Sequence, residues 1–198
     1  MGVPTLFKKI ISNKHYKNIH KGIRNGQTNC DYFFIDYNGM VYNAYENIKK
    51  ELEENNHSKS KIEDLILDEL IRMTQDLICN VVRPKKLTYI ALDGPAPRAK
   101  MVQQRSRRYK AIMEKDFMND LKQKFKMNQS KELWDRSANI SPGTEFMEKL
   151  SNKIIKAMKE KTFQKHNSSM KIIFNNGNTP GEGEHKFLDL LRSMRSME

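Results

Sequence analysis

The sequence LTYIALDGPAPRAKMVQQRSRRYK, residues 87–110, combines a strand, a carboxylate and a cationic helix in one short span. Its first part, Leu87 to Leu92, is a mostly apolar run without clean alternation, and it ends at Asp93-Gly94-Pro95. Such a run predicts a strand that is buried on both faces, as the strands of parallel sheets are. Asp93 would then lie at the carboxyl end of that strand, the edge of an open parallel sheet where ligands bind.

Beyond Pro97 the pattern becomes helical, and four polar side chains recur at i, i+4, i+7 and i+8. At about 100° per residue they cover an arc of roughly 100°, so they share one face of the helix. The first turn carries cations that the helix macrodipole disfavours, and an anionic ligand would offset that cost. A solvated basic face remains the alternative. The four side chains are those of Lys100, Gln104, Arg107 and Arg108.

The composition favours a polyanionic partner. The chain has 198 residues and a formal net charge of +12, which predicts one domain over residues 1–198 and favours nucleic acid as the partner class. Its two cysteines, Cys30 and Cys79, form no disulfide framework and no paired metal-ligand spacing. No stretch approaches the length of a membrane span, and no signal peptide is evident. We therefore expect an intracellular protein, cytoplasmic or nuclear, without a membrane partner.

Strands and helices alternate along the rest of the chain. Residues 31–36 and 170–174 predict two further strands, the first of them ended by a turn at Asn38-Gly39. Trp134, in an expected loop over 128–143, is interpreted as a packing anchor. This order favours an α/β fold with parallel strands, because a strand, a helical crossover and a second strand form a parallel pair. The predicted helices lie within residues 3–24, over 40–54, 61–82, 97–127 and 144–161, and after residue 184.

Four carboxylates lie at or after the ends of the three predicted strands. If the strands are parallel neighbours, these acids converge on one edge of the sheet, where their repulsion calls for a cation. Oxygen ligands of this kind suit Mg²⁺, and two such ions can bracket the attack of water on a phosphodiester. The alternatives are ordinary turn acids and, for Glu182, a capping box with Thr179. The four acids are Asp36, Asp93, Glu182 and Glu184.

Five blocks of sequence together resemble the N-terminal part of the Xrn family of 5′-to-3′ exoribonucleases. They are MGVP at 1–4, IDYNGMVY at 35–42, ALDGPAPRAKMVQQRSRR at 91–108, SPGTEFM at 141–147 and TPGEGEHK at 179–186. The resemblance implies a PIN-like, flap-nuclease-like α/β fold with a mostly parallel sheet. It also implies removal of nucleotides from RNA with a 5′-monophosphate, dependent on Mg²⁺ or alternatively Mn²⁺.

The resemblance also assigns roles to individual residues. Asp36, Asp93, Glu182 and Glu184 match the family's catalytic metal-site acids. Lys100, Gln104, Arg107 and Arg108 match the pocket that holds the 5′-phosphate of the RNA. Charged side chains there would favour a phosphate over a hydroxyl group.

Two features depart from the family pattern. Tyr42 stands where the family usually has a histidine that stacks on the terminal base, and its ring could still stack. The sequence ends at Glu198, before the strand that supplies the family's further metal-site aspartates, so we expect an incomplete sheet. Three hypotheses stay open: a nuclease, alone or completed by a second polypeptide; a module that binds RNA 5′ ends without cleaving; and a truncated product that folds poorly. The Xrn-like sequence motifs disfavour the alternative of flap-endonuclease-like cleavage of DNA.

Overall fold

The computed structural model describes residues 8–9, 12, 30–55, 57–126 and 134–195 of the chain. Within these residues, three parallel strands form one sheet in the order β1-β2-β3. Asp36 at the end of β1 pairs with Ala91 of β2, which pairs with Asn175 of β3, so the carboxyl ends of the strands are level. The predicted α/β fold with a parallel sheet is confirmed. The strands are β1 (Tyr32–Asp36), β2 (Leu87–Ala91) and β3 (Lys171–Asn175).

Helices connect and cover the strands. The second helix continues as a π-helical turn, Leu77–Val82, and a short 3-10 turn, Thr162–Gln164, follows the fifth helix. None of the described helices combines the length and the apolar character that a membrane span requires. The helices are α1 (Tyr37–Glu54), α2 (Lys59–Asp76), α3 (Arg98–Lys124), α4 (Arg136–Asn139), α5 (Glu145–Lys159) and α6 (Gly183–Arg195).

The core lies between the sheet and helices α1, α2 and α5. Every residue of β2 is buried, as the apolar run predicts. Alternate strand residues such as Ile35 and Ile90 belong to the cluster formed with α1, α2 and α5. On the opposite face, the ring of Phe187 on α6 lies 5.5 Å from that of Phe34 and 5.7 Å from that of Tyr89. Packing on both faces therefore fixes the edge at which the strands end.

The first helix begins earlier than the sequence predicts. We expected Asn38-Gly39 to end the strand and the helix to begin at Met40, but α1 begins at Tyr37, directly after β1. Tyr37 is fully buried, and its hydroxyl group lies 2.7 Å from the Thr74 hydroxyl on α2. Tertiary burial of this side chain outweighs the turn preference of Asn-Gly. Asn38 thereby enters the first helical turn, beside the end of β2.

The structure differs from the sequence in two further places, the helix expected at 97–127 and the loop expected at 128–143. Helix α3 spans 27 residues and buries none of them. The described part of the loop contains the short helix α4, which Asp135 caps by accepting a hydrogen bond from the Ala138 amide at 3.0 Å. Trp134 is 2% exposed and packs on Phe146, as a packing anchor would. Nearly all of the helix expected within residues 3–24 lies outside the described residues.

Candidate functional site

The first residue of α6 is the point where the two strand-end aspartates meet. The Gly183 amide donates a hydrogen bond to Asp93 Oδ1 at 2.8 Å. A Cβ atom placed on Gly183 would lie 3.4 Å from Asp36 Oδ1, so that carboxylate rests against the same residue. Both aspartates therefore lie at the N-terminus of α6, where the helix macrodipole favours negative charge.

Asn38 orients the Asp93 carboxylate from the opposite side. Its Nδ2 donates to Asp93 Oδ2 at 3.1 Å, and its Oδ1 accepts from the Asp93 amide at 3.3 Å. Both carboxylate oxygens of Asp93 are thus held by groups distant in sequence, from α1 and from α6. Asp93 is more than a turn residue, because these bonds join three segments of the chain.

The other two acids lie on either side of Gly183. Glu184 is exposed on the first turn of α6, and Glu182 is half-buried just before the helix. The alternative for Glu182, a capping box with Thr179, is not formed, because α6 begins at Gly183 and Thr179 belongs to the preceding loop. The backbone of Thr179 packs closely against Gly94 instead, because a Cβ atom on Gly94 would lie 1.8 Å from the Thr179 carbonyl oxygen.

The acids influence one another electrostatically. Partial burial is the largest cause of the raised pKa of Asp36, and the charge of Asp93 adds to it. Glu184 and Glu182 raise the pKa of Asp36 further, by smaller amounts. The four predicted acids therefore act on one region, although they come from three separate parts of the chain.

The basic face of α3 approaches this acidic edge. Lys100 Nζ lies 3.0 Å from Glu182 Oε1, and this hydrogen-bonded pair raises the pKa of Lys100. Eight residues along the helix, Arg108 donates from Nη2 to the Ser141 hydroxyl at 2.7 Å. Gln104 is half-buried between them, and Arg107 is exposed. The face thus runs from the start of α6 towards the loop before α5.

The donor chemistry suits a divalent cation, but the ligand set is not gathered around one point. Carboxylates that raise one another's pKa are the groups that a bound cation would relieve. Among the described residues, however, no three His, Cys, Asp or Glu side chains lie close enough to hold one ion. Two of the acids already have partners, since Glu182 pairs with Lys100 and Asp93 is held by Asn38 and Gly183.

Two residues near the acids were not predicted from the sequence. Asn38 lies in the IDYNGMVY block, where the Asn-Gly pair indicated only a turn. Lys186, in the TPGEGEHK block, is 4% exposed and donates from Nζ to the carbonyl oxygens of Leu92 and Asn176 at 2.6 and 2.9 Å. Burial lowers the pKa of Lys186, and the charge of Asp93 opposes that effect. No side-chain periodicity indicates either role, although both residues lie inside the blocks that carry the resemblance.

Tyr42, predicted to stack on a terminal base, lies on α1 with 38% of its surface exposed. Its ring is therefore open to solvent on the helix that follows Asp36. Stacking on a base stays a prediction.

Known proteins that are similar to this chain are 5'-3' exoribonucleases. The family model described as "XRN 5'-3' exonuclease N-terminus" matches residues 1–198. The 5'-3' exoribonuclease 2 of Kluyveromyces lactis is 32% identical and aligns with 99% of this chain and 22% of its own length. Those of Candida glabrata and Gallus gallus are each 34% identical, over 99% and 84% of this chain and 21% and 18% of their own lengths.

The chain thus spans about a fifth of the length of these curated relatives. Its three-stranded parallel sheet flanked by helices agrees with the PIN-like fold that the resemblance implies. With the family model matching from end to end, the chain belongs to the family of XRN 5'-3' exonuclease N-termini.

Proposed function

We propose that this chain binds the 5′-monophosphate end of RNA and removes nucleotides from it in the 5′-to-3′ direction. The observation that carries the proposal is the contact of 3.0 Å between Lys100 Nζ and Glu182 Oε1. It joins the basic face of α3 to the edge where the strand-end acids meet. A nucleic-acid end bound to the basic face of α3 would place its phosphodiester backbone beside the strand-end acids.

The basic face would recognise the terminal phosphate. Lys100, Arg107 and Arg108 would supply charge-assisted hydrogen bonds, and Gln104 lies among them as a neutral donor. These contacts would favour a 5′-phosphate over a 5′-hydroxyl group, and by analogy with the family a cap or triphosphate would fit poorly. The ring of Tyr42 would stack on the terminal base.

The acids would hold Mg²⁺, with Mn²⁺ as an alternative. Asp36, Asp93 and Glu184 face one region around the start of α6, and Glu182 would join them on leaving Lys100. Divalent ions bound there would supply an activated water and stabilise the leaving oxygen of the phosphodiester. Asn38 and the Gly183 amide would keep the Asp93 carboxylate oriented towards that region.

A second candidate is a module that binds RNA 5′ ends without cleaving the RNA. One observation favours it: among the described residues, no three acids can hold one ion as they stand.

The two candidates are separated by degradation of RNA carrying a 5′-monophosphate or a 5′-hydroxyl group, with Mg²⁺ or with EDTA. For the nuclease we expect cleavage of the phosphorylated RNA in Mg²⁺ alone. Glu184→Gln should lower the rate by about 100-fold or more, because it removes a charge at the reacting centre, while RNA still binds. Arg107→Ala should reduce the preference for the 5′-phosphate by about tenfold.

Arg105→Ala is the matched control for the basic face. Arg105 is an exposed arginine of the same helix, but it lies about 110° around the axis from the centre of the face formed by Lys100, Gln104, Arg107 and Arg108. Its removal changes the net charge equally and should leave the phosphate preference unchanged. Tight, phosphate-dependent binding without cleavage would favour the second candidate, and equal binding of both 5′ ends would refute both.

A further inference from the structure

Two segments of the chain are hydrogen-bonded to each other beside the acids, and we call them the clasp: the loop 92–95 after β2, and residues 176–186, which comprise the loop before α6 and the first turn of that helix. The Gly94 amide donates to the Gly181 carbonyl at 2.9 Å, and the Gly181 amide donates to the Pro95 carbonyl at 3.1 Å. The loops lie so close that a Cβ atom on Gly94 would fall 1.8 Å from the Thr179 carbonyl oxygen. The clasp carries Asp93 on one side and both Glu182 and Glu184 on the other.

Lys186 lies inside the clasp. Among the described residues it is the one buried cation. Removing an ammonium group from water is unfavourable unless hydrogen bonds replace its hydration. Here both recorded acceptors are carbonyl oxygens, Leu92 on the first loop and Asn176 on the second. A single side chain thus ties together the backbones of the two loops that position the acids.

The position of Lys186 on α6 also fixes the direction of its neighbours. Residues two apart on a helix point about 200° away from each other. With Lys186 anchored under the end of β2, Glu184 is turned to the exposed side, where its charge acts on Asp36. The same anchoring keeps the Gly183 amide within 2.8 Å of Asp93.

We propose that Lys186 is a positioning residue, whose two bonds to the backbone set the spacing between Asp93 and the acids of α6. The proposal rests on the proposed function in one respect, namely that these acids bind a divalent ion. Lys186 itself contacts neither ion nor RNA. Its effect reaches the ion through the placement of Asp93, Glu182 and Glu184.

The test compares the wild-type chain with Lys186→Met, which keeps the length of the side chain and removes its donors. Three quantities are measured: amide hydrogen exchange at Gly94, Gly181 and Gly183; affinity for Mn²⁺ by calorimetry; and affinity for a 5′-monophosphate oligonucleotide in EDTA. We expect exchange at the three amides to become about tenfold faster. Mn²⁺ affinity should fall by about tenfold or more, and oligonucleotide affinity should not change.

A core variant separates positioning from general loss of stability. Ile154 is fully buried on α5, away from the clasp, so Ile154→Val or Ile154→Ala can be chosen to match the fall in Tm of Lys186→Met. Equal loss of Mn²⁺ affinity in the matched core variant would overturn the proposal. Unchanged exchange at the three amides in a folded Lys186→Met chain would overturn it as well.

The proposed function fails by a different result. If the wild-type chain binds no Mn²⁺, the metal-dependent function is refuted and the exchange measurement alone judges Lys186. Faster amide exchange confined to the clasp would then support the role of Lys186 in joining the two loops, and unchanged exchange would refute it.

Discussion

The clasp and helix α3 supply the two halves of the candidate site, and they are held in place by different means. The clasp is joined by backbone hydrogen bonds and a buried ammonium group. Helix α3 buries none of its residues, and within the part of the chain that the structure describes its basic face makes two side-chain bonds to other elements, from Lys100 to Glu182 and from Arg108 to Ser141. Hydrogen bonds to the backbone therefore position the acids of the clasp, whereas the cations of α3 are positioned by bonds between side chains.

The exposed apolar side chains of α3 show the same contrast. A helix that leans on a core buries an apolar stripe, but these side chains are about half exposed or more. Substitutions in the clasp should therefore disturb the acids together, while substitutions along α3 should act locally. The exposed side chains are Met101, Val102, Tyr109, Ile112, Met113, Phe117 and Met118, with exposed fractions between 49% and 71%.

The largest effect is expected at Gly94. A methyl group there would meet the Thr179 carbonyl at 1.8 Å, and that oxygen belongs to backbone that cannot rotate away. Gly94→Ala should therefore open the clasp and lower the free energy of unfolding by about 3 kcal/mol. For a chain of this size that corresponds to a fall in Tm of roughly 10 °C, measurable by circular dichroism.

Gly39→Ala provides the control for Gly94. A Cβ atom on Gly39 has nothing within 4 Å, and the residue lies in the first turn of α1. Alanine should raise the free energy of unfolding there by about 0.5–1 kcal/mol. Similar destabilisation by both substitutions would contradict the close approach of the two loops.

The sequence predicts where the strand-end aspartates lie better than it predicts the residues that hold them in position. The buried run of β2 and the parallel order of strands suffice to place Asp36 and Asp93 at one edge. Lys186 is different, because its acceptors are carbonyl oxygens whose positions depend on loop conformation. Side-chain pattern carries no information about such acceptors, so the role of Lys186 could not be predicted.

The pairing of Lys100 with Glu182 could not be predicted from the sequence either. Helical spacing predicts the basic face, and strand ends predict the acids, but neither determines how the two approach each other. These residues are assigned to different ligands, phosphate and metal, and in the structure they bind each other. Complementary charges at close range satisfy each other when no ligand competes for them.

An intermediate effect is expected from breaking that pair. Lys100 and Glu182 are 22% and 15% exposed, so solvent screens their attraction only in part. A double-mutant cycle with Lys100→Met and Glu182→Gln should give a coupling free energy of about 1 kcal/mol in urea unfolding. The exposed pair Lys110–Glu114 on the same helix is the control, at or below about 0.5 kcal/mol. Equal coupling in the two pairs would mean that α3 is not joined to the acid edge.

The smallest effect concerns the pKa of Asp36, which burial and the neighbouring acids of the clasp raise. Its pKa is raised above the ordinary value of 3.8, first by burial and then by Asp93, so the folded state holds this proton at pH values where the unfolded chain has released it. Stability should therefore fall as pH rises from that value through the raised pKa. Asp36→Asn should remove the fall and stabilise the chain at pH 7 by less than about 1 kcal/mol, because solvent screens a partly exposed group. Urea unfolding between pH 4 and pH 7 in EDTA measures the effect, with Asp116→Asn on α3 as the control for net charge. If Asp36→Asn destabilised the chain at pH 7, the carboxylate would be held by attraction, and the acid edge would carry no repulsion for a metal ion to relieve.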